Sequence, residues 1–175
     1  MPEPSPLIVQ IVGYKNTGKT TLVCRLVERF KADGRIVATL KHDAHAFDMD
    51  RPDTDTWRHR RAGADMTAIA SPDRTAILYE QTTGPDELVA AVTARGAEIV
   101  IVEGFKAAGY PKLVLIKRAE DAELLHRLSS PAAAIVWPDA LLPDPPAGLP
   151  VLRIDDIDAI YTLVRNMDGG RMRPV

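Results

Sequence analysis

Cysteine is almost absent from this chain of 175 residues: Cys24 stands alone, so no internal disulfide can form, and a chain without a disulfide framework is expected in a reducing compartment. Positive charge is not in excess either. Its 22 Lys and Arg against 24 Asp and Glu give a net charge of -2, which excludes an overall basic field for nucleic acid or anionic membrane and makes any anion binding a local matter. No apolar run approaches the roughly 20 residues that span a bilayer. The opening MPEPSPLIVQIV has acidic Glu3 and prolines where a signal peptide would need positive charge and a longer apolar core, so a cytoplasmic protein is expected, with no nucleic acid or membrane as partner. At 46% hydrophobic and 26% charged residues the composition is globular. The length suits one domain over 1–175, with DGGRMRPV (168–175) as a loose tail.

What is present is an alternation of short apolar runs and amphipathic ones. LIVQIV (7–12), bounded by proline and glycine, has the character of a buried strand. Leu22, Val23, Leu26, Val27 and Phe30 then recur at helical spacing, with Gly34 placed to end the helix. RIVATLK supplies a second strand and completes a βαβ unit with parallel strands. After a polar loop at 42–53, TDTWRHRRAGA predicts a short basic helix ending near Gly63, and MTAIA and TAILY around SPDR predict a hairpin. A helix over Pro85–Arg95, the strands EIVIVEG, KLVLIK, AAAIVW and PVLRI, and a last helix marked by Ile157, Ile160, Tyr161 and Val164 follow. The expected class is α/β: a mostly parallel sheet with helices on both faces, plus an antiparallel hairpin. Trp137, His126 and Cys24 have no evident chemical neighbours in the sequence, and core packing is expected for them.

The first strand-to-helix corner carries a specific signal. Gly13, four residues, Gly18, Lys19 and Thr20 fit the phosphate-binding pattern G-x-x-x-x-G-K-[ST], with the strand before and helix after that the pattern requires. Glycines allow successive amides to point inward as an anion nest, and the start of a helix adds unsatisfied N–H groups and a partial positive charge. The expected nucleotide contacts are Gly13, Tyr14, Lys15, Asn16, Thr17, Gly18, Lys19, Thr20 and Thr21. Lys19 would reach the β- and γ-phosphates and the Thr20 hydroxyl would ligate Mg²⁺, while Lys15 is either a second cation or a solvated loop lysine.

Such a site also needs a carboxylate at the end of a neighbouring buried strand. Glu103, after IVIV and before Gly104, fits as a metal-side or water-orienting acid. The loop after the second strand holds His42, Asp43, His45, Asp48, Asp50, Asp53 and Asp55, where substrates of open sheets bind. Asp43 and His42 are placed to face the γ-phosphate, and solvated turn-capping acids are the alternative. The spacing does not match a calcium hand or a structural zinc site. Arg58, His59, Arg60 and Arg61 beside Trp57 form either a solvated helix face or a site for a phosphate or acidic partner.

With GYKNTGKTTL, TLKHDAHAFDMDRPDTDTWRHRRAGA and IVIVEGFK in that order, the sequence resembles the molybdopterin-guanine dinucleotide biosynthesis adaptor protein B family, MobB, from about Leu7 to Arg118. The resemblance implies a three-layer P-loop NTPase fold of the signal-recognition and MinD-like branch, GTP with Mg²⁺ as ligands, slow hydrolysis at most, a homodimer, and MobA, the transferase that joins GMP to molybdopterin, as partner. It also implies nucleotide contacts at Gly13–Thr21, a second nucleotide motif at Glu103 and Gly104, and substrate or partner contacts, molybdopterin among them, in the block that holds His42, His45, Asp55, Arg58 and Arg61. After LVLI the chain reads KRAED, so no N/T-K-x-D is present to select guanine. A small-molecule kinase and a metal-delivery GTPase are the competing readings, told apart by acceptor-dependent nucleotide consumption and by tightly bound nickel or zinc.

Overall fold

The computed structural model describes residues 5–43, 47–142, 144–168 and 171–172. Contacts divide the chain into two compact units, Met1–His42 with Pro85–Val175, and Asp43–Gly84. The single domain expected over 1–175 thus corresponds to two contact units, and each is described by itself.

In the first unit, the apolar runs form β1 (Leu7–Val12), β2 (Val37–Lys41), β5 (Ile99–Glu103), β6 (Lys112–Ile116), β7 (Pro131–Val136) and β8 (Val151–Arg153). They make one six-stranded sheet in the order β2-β5-β1-β6-β7-β8, with every neighbouring pair parallel. Its helices are α1 (Lys19–Ala32), α3 (Pro85–Thr93), α4 (Leu124–Arg127) and α5 (Ile157–Arg165). Strand alternation divides the core into two faces. Val9, Ile11, Ile101, Leu113, Leu115 and Ile135 pack with Leu22, Leu26 and Phe30 of α1 and Ile160 and Val164 of α5. On the opposite face Val100 and Val102 pack with Val89 of α3, and Val114 and Ile116 with Leu124 and Leu125 of α4. Each of these large side chains, fully buried, contributes about 1.5–3 kcal/mol. The three layers are those expected.

Helix α1 ends as its sequence predicts: Gly34 has φ of +75°, its N–H donates to Lys31 O at 3.0 Å, and Arg35 N–H donates to Phe30 O at 3.0 Å, the paired bonds of a left-handed helix stop. Cys24 and His126 are exposed, which corrects the expectation of core packing. The apolar stripe of α1 runs through Leu22, Val23, Leu26 and Phe30 and leaves Cys24 outside it; on α4 only Leu124 and Leu125 turn inward.

The connection from β5 to β6 is only 104–111, although β1 lies between these two strands. A parallel crossover normally takes about a dozen residues or more and a helix. This one has no helix and is laid on the sheet, with Phe105 and Tyr110 packed beside Val100 and Val102. After β6, a 3-10 turn at Ala119–Glu123 leads into α4, an element absent from the sequence-based expectation. In the tail expected to be loose, β9 (Met167–Asp168) pairs with β10 (Arg171–Met172), while 169–170 and 173–175 lie outside the described residues.

The second unit holds α2 (Asp55–Arg61) and the antiparallel hairpin β3 (Met66–Ala70) and β4 (Thr75–Tyr79). The SPDR turn closes with Ser71 N–H donating to Arg74 O at 2.7 Å. Among the described residues, no helix is long and apolar enough to cross a membrane.

Candidate functional site

The corner between β1 and α1 is shaped by sterics. A Cβ on Gly13 would stand 2.7 Å from Thr17 Oγ1 and 3.1 Å from Leu115 Cβ, so only glycine fits. Asn16 has φ of +62° and Gly18 of +95°, two left-handed positions that reverse the chain around Thr17. The buried Thr17 hydroxyl donates to Tyr14 O at 2.9 Å, and Lys19 Nζ donates to the same carbonyl at 2.7 Å. Lys15 and Asn16 form a tight turn, and Leu22 N–H, to Gly18 O at 3.0 Å, makes the first bond back along α1. A helix start leaves its first amides without intrahelical partners, the arrangement that binds polyanions.

Glu103 reaches this corner because β5 pairs with β1 in the register Ile11↔Glu103. The Thr20 hydroxyl lies 3.0 and 3.2 Å from its two carboxylate oxygens, and Lys41 Nζ is 3.7 Å from Oε1. A hydroxyl beside a carboxylate is a hard-oxygen donor set that suits Mg²⁺, a cation that keeps several waters and draws its other ligands from phosphate. The residues present therefore fit Mg²⁺ and a nucleoside phosphate. Burial holds the Lys19 ammonium below its ordinary pKa; Glu103 draws it back up, and Lys106 and Lys41 lower it further.

Three lysines and a tryptophan that sequence reasoning gave no role complete the corner. Lys106 Nζ lies 4.6 Å from the centroid of the Tyr14 ring, and the Tyr14 hydroxyl donates to Glu123. Lys117 Nζ donates to Asn16 O at 3.1 Å and lies 4.9 Å from the centroid of Trp137. Trp137 Nε1 donates to Thr17 O at 2.9 Å, so this half-buried indole braces the Gly13–Thr21 loop, where core packing alone was expected. The buried Asp121 carboxylate accepts from the amides of Lys117 and Arg118 at 2.9 and 3.0 Å and fixes the turn that carries Lys117. A readable signal existed: Lys41 ends β2, Lys117 directly follows β6 and Trp137 directly follows β7, all at carboxyl ends of parallel strands, where ligands of open sheets bind.

Of the other expected residues, Lys15 and Thr21 are exposed. Gly104 has φ of +86° and sits against His42, whose Cβ would be 3.1 Å from a Cβ at Gly104. His42 N–H donates to Glu103 O at 2.9 Å and its ring, tilted 52°, lies 4.8 Å from that of Phe105, so His42 supports the Glu103 turn. Asp43, exposed, opens the second unit, and His45 lies outside the described residues. Asp55, Arg58 and Arg61 belong to α2 of the second unit, whereas the corner described here is built from the first. Within the second unit Arg60 makes the ion pairs, with Glu80 at 2.6 Å, Asp48 at 3.3 Å and Asp50 at 3.6 Å. Arg61 lies 5.7 Å over the Trp57 ring, and a cavity of about 340 Å³ is lined by Asp48, Trp57, Arg60, Arg61 and Glu80.

The sequence matches the family model of Molybdopterin guanine dinucleotide synthesis protein B over residues 8–137. It is 31% identical over 167 residues to a Bacillus subtilis protein named "Probable molybdopterin-guanine dinucleotide biosynthesis adapter protein", an alignment covering 93% of this chain and 94% of the relative. Among solved structures, Bacillus subtilis MobB superposes with a TM-score of 0.74 at 28% identity, covering 89% of this chain and 96% of its own. A MobB homolog from Bacillus stearothermophilus gives a TM-score of 0.72 at 28% identity, covering 91% and 95%. Because the match runs through the phosphate loop, the middle block and Glu103 alike, the chain belongs to the MobB family, the adapters of molybdopterin-guanine dinucleotide biosynthesis.

Proposed function

We propose that this chain binds GTP with Mg²⁺ at the Gly13–Thr21 corner, hydrolyses it slowly, and serves as an adapter to the guanylyltransferase MobA during molybdopterin-guanine dinucleotide formation in the cytoplasm. The observation that carries the reading is the Thr20–Glu103 pair at 3.0 Å beside a loop that left-handed Asn16 and Gly18 fold back onto the start of α1. In this reading the loop amides and Lys19 hold the phosphates, Thr20 and Glu103 hold the cation or its waters, and Lys117 with Trp137 border the nucleoside side. Bound Mg²⁺ would supply neutralisation of phosphate charge. Glu103 is also placed to orient an attacking water. Guanine is favoured over adenine because the family is named for a guanine dinucleotide.

Competition of GTP against ATP, with and without purified MobA, tests this. GTP preference that MobA strengthens is expected, and equal affinities unaffected by the transferase would contradict it. A homodimer belongs to the same reading. One face of the hairpin pairs Met66 with Tyr79 and Ala68 with Ile77, and Met66, Ile77 and Tyr79 are 65%, 43% and 51% exposed, an apolar strip suited to a second copy. Sedimentation of Ile77→Lys should give a monomer where the unaltered protein sediments as a dimer; dimers in both would exclude the hairpin.

A further inference from the structure

Two fully buried polar side chains stand next to each other on the sheet: Gln10 of β1 and Lys112 of β6 are register partners, and both have no exposed surface. Lysine is almost never fully buried unless partnered. Both point their donors at one segment, the short helix-free crossover after Glu103. Gln10 Nε2 donates to Gly104 O and to Phe105 O, each at 2.6 Å. Lys112 Nζ donates to Ala108 O, to Tyr110 O at 3.1 Å and to Ser129 Oγ at 3.4 Å. Turning the Gln10 amide over would set its oxygen against two carbonyl oxygens, so the donors fix its orientation. Its Oε1 is buried with no hydrogen-bond partner among the described residues, a cost accepted to keep both donors on the loop.

The need for this arrangement follows from the topology. The crossover is too short for a helix and partly exposed, with Lys106, Ala107 and Gly109 open to solvent, and the carbonyls that turn towards the buried Gln10 and Lys112 must find donors there. The two carbonyls held by Gln10 belong to residues of positive φ, Gly104 at +86° and Phe105 at +49°. For a phenylalanine this conformation is strained and persists only when its surroundings over-determine it. That left-handed bend is what carries the chain from Glu103, beside Thr20, to Lys106, over Tyr14.

We propose that Gln10 and Lys112 are positioning residues that hold the Gly104–Tyr110 crossover in the one shape that sets Glu103 at the metal and Lys106 at the terminal phosphate of the bound nucleotide. The proposal rests on the nucleotide reading above, and its test separates the two. Gln10→Met and Lys112→Met keep length and lose the donors, while Lys112→Arg keeps donors and serves as the rescue. Calorimetry with Mg-GTP and Mg-GDP on the full chain should give on the order of 10-fold weaker GTP binding in the Met variants, GDP binding within about threefold of the unaltered protein, and recovery in Lys112→Arg. Hydrogen exchange without nucleotide should find protection of the amides between 104 and 110 lost in the Met variants. Equal loss of GTP and GDP affinity would reduce both residues to structural ones, and unchanged GTP preference with unchanged exchange would overturn the proposal. If the unaltered protein binds neither nucleotide, the nucleotide reading falls, and the exchange result alone decides whether the pair shapes the crossover.

Discussion

Replacing Gly13 with alanine places a methyl carbon 2.7 Å from Thr17 Oγ1 and 3.1 Å from Leu115 Cβ. Thr17 is 3% exposed and cannot swing away, and Leu115 is in the centre of the core. Overpacking a tight site costs about 1–3 kcal/mol. Displacing the Thr17 hydroxyl from Tyr14 O loses a further hydrogen bond, about 1 kcal/mol. Gly13→Ala should therefore lower unfolding free energy by about 2–4 kcal/mol, measured by urea denaturation followed by circular dichroism. Thr17→Ala alone should cost about 1 kcal/mol through the lost bond. In the double variant the 2.7 Å contact is gone while that with Leu115 stays, so the two costs should fall short of additivity by about 1–2 kcal/mol. Additivity within about 0.5 kcal/mol would refute the steric account of this corner.

Glu103→Gln keeps the size of the side chain and removes its charge, so it should slow GTP hydrolysis by on the order of 10-fold or more while changing nucleotide affinity less; equal slowing and weakening would remove the water-orienting role. Tyr110 offers a pH test. Burial, with the Asp86 carboxylate that accepts its hydrogen bond, pushes its phenol up to about 12 from 10.0. The folded protein therefore keeps a proton that the unfolded chain loses, so this contribution to stability is complete below pH 10 and disappears as pH rises towards 12. Tyr110→Phe should flatten the stability profile in that window, as followed by denaturation at several alkaline pH values, and an unaltered slope would show that Tyr110 titrates normally.

How much of this was legible in the sequence depends on how local each feature is. The Gly13–Thr21 corner was legible as a candidate site because its pattern lies in consecutive residues between a strand and a helix, and Glu103 because it ends a buried apolar strand. The parallel sheet and the hairpin followed from runs and turn residues. For Lys117 and Trp137 the sequence offers only their place at strand ends; their contacts with Asn16 and Thr17 arise through the order β1-β6-β7, which periodicity does not encode. Gln10 looked like one polar residue in a strand, and Lys112 like a strand end; their partnership exists only once β1 is inserted between β5 and β6. The 3-10 turn and α4 escaped because Leu124 and Leu125 are their only apolar pair, too short a run for a helical period.

The central claim, that main-chain amides and Lys19 capture a nucleotide's phosphates, is tested most directly by calorimetric titration of Mg-GTP into the unaltered protein and into Lys19→Ala. Each charge-assisted bond lost should remove about 1.5–3 kcal/mol, so binding should weaken about 10- to 150-fold in the variant. Equal affinity of the two proteins for Mg-GTP, or no heat from either when both are folded, would contradict the account.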